Sequence, residues 1–84
     1  MINQATKRFW KVYWSLPEHT RVATDKAFAL LEKTQSHPSL QFKKVGKFYS
    51  ARIDKCYRAL AFKQNGEYTW VWIGPHDEYE QLLK

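Results

Sequence analysis

A chain of 84 residues has room for one modest hydrophobic core. Its 14 Lys and Arg against 8 Asp and Glu leave a formal charge of +6 and a pI near 9.6. Such a surface suits an anionic partner, nucleic acid or an acidic protein, although solubility alone is the plainer use of the charge. The single cysteine, Cys56, excludes an intrachain disulfide. The polar opening from Met1 to Arg8 is unlike a secretory signal, and no apolar run approaches the ~20 residues of a membrane span. A soluble, cytoplasmic single domain over residues 1–84 is therefore expected, with no membrane partner.

Aromatic residues make up 17% of the chain, four of them tryptophan, and such side chains give a short sequence the most core area per residue. Ala5, Phe9, Val12 and Leu16 recur at helical spacing, predicting a first helix that Pro17 ends. A second helix starts there with Pro17 near its first turn, and Ala23, Ala27, Leu30, Leu31 and Thr34 share its inner face. Residues 35–39 read as a loop.

The period then changes. Strands are predicted at Leu40 to Val45, Phe48 to Ile53, Tyr57 to Gln64 and Tyr68 to Ile73, with a final helical turn or two from His76 to Leu83. Asn65-Gly66 is a two-residue type I′ hairpin signal, because both residues tolerate positive φ. If Gln64 pairs with Glu67, then Ala61 faces Trp70, Ala59 faces Trp72, Leu60 meets Val71 and Arg58 meets Ile73. Helices followed by strands give an α+β class: two N-terminal helices packed on a four-stranded, mainly antiparallel sheet, with a short C-terminal helix.

The turn Asp54-Lys55-Cys56 bears on function. With a three-residue loop, Ile53 pairs with Tyr57 and Arg52 lies opposite Arg58. Like charges facing across strands repel, and a phosphate held between the two guanidinium groups would account for keeping both. Gly74-Pro75-His76 emerges beside the same spot, with Tyr79 about one helical turn further on. Arg52, Arg58, His76 and Tyr79 thus converge at one sheet edge. Singly, each arginine could instead reach solvent or pair with Asp54, Asp77 or Glu78. Lys43, Lys44, Lys47 and Lys55 suit sequence-blind contacts to a nucleic-acid backbone, and a solvated charged turn is the alternative.

Other chemistries find little support. Cys56, His19, His37 and His76 lack metal-ligand spacing, and no CxxC, HExxH, P-loop or GxGxxG is present, so neither a metal nor a small-molecule cofactor is expected. His19 and His37 read as loop or capping residues. Lys7, Arg8 and Lys11 read as a solvent face. Trp10, Tyr13 and Trp14 fit either core or a partner surface.

Four stretches, Leu40-Gln-Phe-Lys-Lys, Phe48-Tyr-Ser-Ala-Arg52-Ile, Cys56-Tyr57-Arg58-Ala-Leu and Trp72-Ile-Gly74-Pro-His76-Asp-Glu-Tyr79, are similar to the RelE/ParE superfamily of type II toxin–antitoxin toxins. The resemblance spans nearly the whole chain. It implies a curved antiparallel sheet with two N-terminal helices. It also implies a cytoplasmic endoribonuclease that cleaves mRNA in the ribosomal A site and inhibits translation, through 2′-hydroxyl attack on the adjacent phosphate. On that resemblance Arg58 and Arg52 hold the scissile phosphate, His76 is the general acid or base, and Tyr79 stacks on a base or assists proton transfer. Ser50 stands where some relatives carry a catalytic lysine. The family's N-terminal strand has at most Met1 to Asn3 to draw on, and the interval from His76 to Tyr79 is shorter than in many relatives. The implied partners are a cognate antitoxin, mRNA and the ribosome. Two alternatives remain: a ParE-like toxin that inhibits DNA gyrase without cutting RNA, and a non-catalytic RNA-binding module.

Overall fold

The structure, a computed structural model, describes residues 4–34 and 37–82. Thr6 sets its opening. The Thr6 N–H donates to the Trp70 carbonyl at 3.0 Å, continuing the parallel pairing of β1 (Gln4–Ala5) with Thr69 and Trp70. Its Oγ1 accepts from the Phe9 N–H at 3.1 Å and caps α1 (Lys7–Ser15). Ala5 therefore belongs to a strand and not to the helix expected over it. Residues 1–3, the most that the family's N-terminal strand was expected to draw on, lie outside the described residues; among those described, the strand is Gln4–Ala5.

Leu16 and Pro17 separate α1 from α2 (Glu18–Lys33), with Pro17 as N-cap. The buried face of α2 is Thr20, Thr24, Ala27 and Leu31, while Ala23 and Leu30 are half-buried. Ala27 and Leu31 are on the face expected, which is rotated to take in Thr20 and Thr24 in place of Ala23 and Leu30. Thr24 can lie inside because its hydroxyl donates to the Thr20 carbonyl at 2.8 Å. Pro38–Leu40 form a 3₁₀ turn capped by the His37 ring, and Gln41 takes a left-handed conformation (φ 44°). The strand expected from Leu40 consequently begins only at Lys43.

The remaining strands are β2 (Lys43–Val45), β3 (Phe48–Arg52), β4 (Tyr57–Gln64) and β5 (Glu67–Pro75), followed by α3 (His76–Leu82). The sheet order is β1-β5-β4-β3-β2, antiparallel apart from β1 against β5. The class is the α+β expected, with five strands in place of four. Asn65 (φ 54°) and Gly66 (φ 83°) make the predicted hairpin turn, and Gln64 pairs with Glu67 as the turn requires.

The predicted register then fails after Ala61–Trp70. A bulge at Val71 shifts the pairing so that Leu60 faces Trp72, Ala59 faces Ile73 and Arg58 faces Gly74. Trp70 and Ile73 thereby both point to the helices, and Val71 and Trp72 leave the core face. In the core, Phe9, Phe28 and Trp70 stack in series at 5.9 and 4.9 Å between ring centroids. The fully buried Ala51, Ala59 and Ala61 give these rings room. Burial of a ring such as Phe9 contributes about 3 kcal/mol, so this stack is a principal source of the fold's stability. No helix is long and apolar enough to cross a membrane among the described residues.

Candidate functional site

The turn from β3 to β4 is closed by Asp54. Its Oδ1 accepts from the Cys56 and Tyr57 N–H groups at 2.8 and 2.9 Å, and the Ile53 N–H donates to the Tyr57 carbonyl at 3.0 Å. The loop thus has three residues, and Arg52 stands opposite Arg58 as the sequence predicts. The two side chains solve their repulsion separately. The Arg52 Nε donates to the Asp54 carbonyl at 3.3 Å, and its two terminal nitrogens have no acceptor among the described residues.

Arg58 is enclosed, at 5% exposure. Its Nε and Nη2 both donate to Ser50 Oγ, at 3.0 and 2.8 Å. Its Nη1 donates to Gln41 Oε1 at 3.2 Å and Nη2 also to the Gln41 carbonyl at 3.3 Å. One Nη1 hydrogen is engaged by neither residue. The left-handed backbone of Gln41 is what turns its carbonyl and its side chain toward the same guanidinium. Burial pulls the Arg58 pKa below its ordinary value; the adjacent Tyr79 phenol opposes that shift, and the Arg52 charge adds to it.

Helix α3 folds back over this face of the sheet. The His76 N–H donates to the Cys56 carbonyl at 2.7 Å, tying the start of α3 to the β3–β4 turn. Tyr79, 6% exposed, lies over the Arg58 guanidinium with its ring centroid 4.9 Å from Cζ. The His76 ring is 5.9 Å from the Tyr79 ring, and its Nε2 is 3.9 Å from Glu80. Arg58, Tyr79 and His76 therefore form a continuous contact series, with Arg52 paired to Arg58 across the strands. Gly74, directly opposite Arg58, leaves space for the large neighbours. A Cβ there would meet the Trp72 ring at 2.6 Å.

The lysines are dispersed. Lys43 pairs with Ser50, so it rises on the face that carries Arg58. Lys44, one residue on, pairs with Tyr49 and points to the helix-covered face. Lys47 lies over the Phe48 ring at 5.8 Å, at the far end of β3. Lys55 lines a shallow depression with Cys56, Pro75, His76 and Asp77. Trp10 and Trp14 are exposed on α1 while Tyr13 is buried, so that aromatic stripe divides between surface and core. His76, Asp77 and Glu80 bring three potential ligand atoms within 4.8 Å of one another on an accessible turn.

Two holders of the site, Ser50 and Gln41, were not expected in that role. Ser50 carried a family signal only as a departure. Gln41 carried none, since its conformation and its long-range contact leave no local pattern.

No family model matches the sequence, and no curated protein does. The structure is similar to a solved chain of the RelB-RelE antitoxin-toxin complex from Methanococcus jannaschii. The TM-score is 0.74 at 15% identity, over 96% of this chain and 99% of that one. At such low identity the likeness is one of architecture, and the architecture built up here is the RelE-like toxin fold.

Proposed function

We propose that this protein is the toxin of a toxin–antitoxin pair and acts as a metal-independent endoribonuclease on mRNA, at the ribosomal A site, in the cytoplasm. The observation that carries the reading is a pair of facing arginines that bind only neutral oxygens. Among the described residues neither guanidinium has a carboxylate within ion-pair distance. A phenol and an imidazole stand beside them. The RelE-like fold supports the same assignment, as does the occurrence of its structural neighbour in an antitoxin-toxin complex.

In this reading the 2′-hydroxyl of one nucleotide attacks the adjacent phosphorus and the 5′-oxygen leaves. The products are a cyclic phosphate and a 5′-hydroxyl end. Arg52, with its terminal nitrogens free, grips the non-bridging oxygens as charge accumulates on them. Arg58 supplies fixed positive potential from beneath, through Tyr79. His76 accepts or returns the proton, and Tyr79, buried between the imidazole and Arg58, holds both in place. Lys43 and Lys55 flank the arginines and hold the backbone on either side.

The test is primer extension on an mRNA translated in a cell-free extract. New 5′ ends within the coding region are expected with the intact protein. They should be lost with Arg52→Ala and with His76→Ala, and cleavage of naked RNA, where it occurs, should persist in EDTA. Normal translation with intact mRNA, alongside blocked supercoiling by gyrase, would reject the assignment.

A further inference from the structure

An antiparallel sheet with one face on a core usually turns polar side chains outward on the other. The face of this sheet away from α1 and α2 does not. On it β4 presents Arg58, Leu60 and Phe62, and β3 presents Phe48, Ser50 and Arg52, while the alternate residues Ala59, Ala61, Tyr49 and Ala51 turn to the core. Trp72 joins this outer face beside Leu60. The Phe48 and Phe62 rings pack together at 4.7 Å between centroids, with Phe62 exposed and Phe48 half-buried.

An open groove of about 300 Å³ lies on this face, lined by Phe48, Leu60, Val71 and Trp72. Of α3 only Leu82 reaches it, and no acidic side chain lines it. Arg8 stands at its margin, and Lys47 lies over the Phe48 ring at 5.8 Å. Among the described residues neither cation has a carboxylate within ion-pair distance. Strands β2, β3 and β4 carry no Asp or Glu, and the one on β5 is Glu67, at the hairpin turn. The groove is continuous with the arginine notch: Leu60 lies roughly 7 Å along β4 from Arg58, and Phe48 roughly 13 Å along β3 from Arg52.

Exposed rings beside cations are how proteins hold single-stranded nucleic acid: a base stacks on the ring and the backbone follows the charge. The apolar lining alone would suit a protein segment equally, and the continuity with the notch favours RNA. We propose that this groove seats a base of the RNA strand, on one side of the linkage gripped by Arg52, with the base against Phe48 and Trp72 and the neighbouring phosphates on Arg8 and Lys47. The proposal rests on the reading of the arginine notch as an RNA site. It makes Phe48 a residue that positions the substrate and takes no part in the reaction.

The probe is a 2′-O-methylated hexa-adenylate, which lacks the attacking hydroxyl and so binds without being cut. It is titrated into the isotope-labelled full chain and followed by NMR at the Trp72 indole N–H and the Phe48 amide. Saturable shifts at both are expected, whereas the same sugar-phosphate backbone without bases should shift Arg52 and leave Trp72 in place. Phe48→Leu, which keeps an apolar side chain of similar size, should weaken binding about tenfold, and Phe48→Tyr should stay within about twofold of the intact protein. Binding at Trp72 with mRNA left intact in the translation extract would overturn the cleavage reading and uphold the groove. Three results would overturn the groove itself: a Trp72 signal unmoved by the hexa-adenylate, which leaves this face to a partner protein; an equal shift with the base-free backbone; or a Phe48→Leu protein that binds as tightly as the intact one.

Discussion

Arg58 and Arg52 share a residue type and a register position, yet they sit in opposite physical situations. Arg58 is buried with four hydrogen bonds to Ser50 and Gln41, so removing a partner leaves charged donors without water or protein acceptors. Ser50→Ala should therefore lower stability by about 1–3 kcal/mol, seen as a lower urea midpoint at unchanged slope. Arg52 is half-buried and makes one long bond to the Asp54 carbonyl. Arg52→Ala should change stability by no more than about 0.5 kcal/mol while abolishing RNA cleavage. Equal destabilisation by the two substitutions would mean that Arg52, too, is chiefly a structural residue. The pair itself could be anticipated, because a three-residue loop leaves only one register for the strands beside it. The partners of Arg58 could not. Gln41 lies 17 residues away in sequence and reaches the guanidinium through a left-handed conformation that glutamine does not advertise.

At the scale of elements, the Val71 bulge and α3 together place the chemistry. Alternation alone predicts that Ile73 faces Arg58. The extra residue puts Gly74 there instead and leaves the face above Arg58 clear for Tyr79. Asn65-Gly66 was legible because positive φ at two successive residues has few sequence solutions. A bulge at a valine between two tryptophans has no such signature, because only tertiary packing of Trp70 and Ile73 selects it. The same logic explains β1: two residues cannot show a period, and Thr6 reads equally as a cap or as part of a helix. The close approach at Gly74 gives a direct check. Gly74→Ala forces the Trp72 ring from its place, since the new Cβ would sit 2.6 Å from it. A shifted tryptophan emission is expected, with a stability loss of about 1–3 kcal/mol. Unchanged emission would mean that the ring does not rest over Gly74 in solution.

Across the whole molecule, the excess of positive charge is not spread evenly with respect to the proposed site, and strand geometry decides which lysines can serve it. Lys43 and Lys44 are neighbours in sequence with identical charge, so a reading from composition treats them alike. The sheet separates them: Lys43 shares a face with Ser50 and Arg58, and Lys44 shares the opposite face with Tyr49. Each phosphate contact to single-stranded nucleic acid should contribute about −0.7 to the slope of log affinity against log salt. Lys43→Ala should therefore reduce the steepness of that slope by about 0.7 for a short single-stranded RNA, and Lys55→Ala, beside His76, should do the same. Lys44→Ala should leave the slope unchanged even though it lowers net charge equally. The contrast between adjacent lysines separates a contact at a defined surface from attraction by the protein's overall field, which would weaken to the same extent whichever charge was removed.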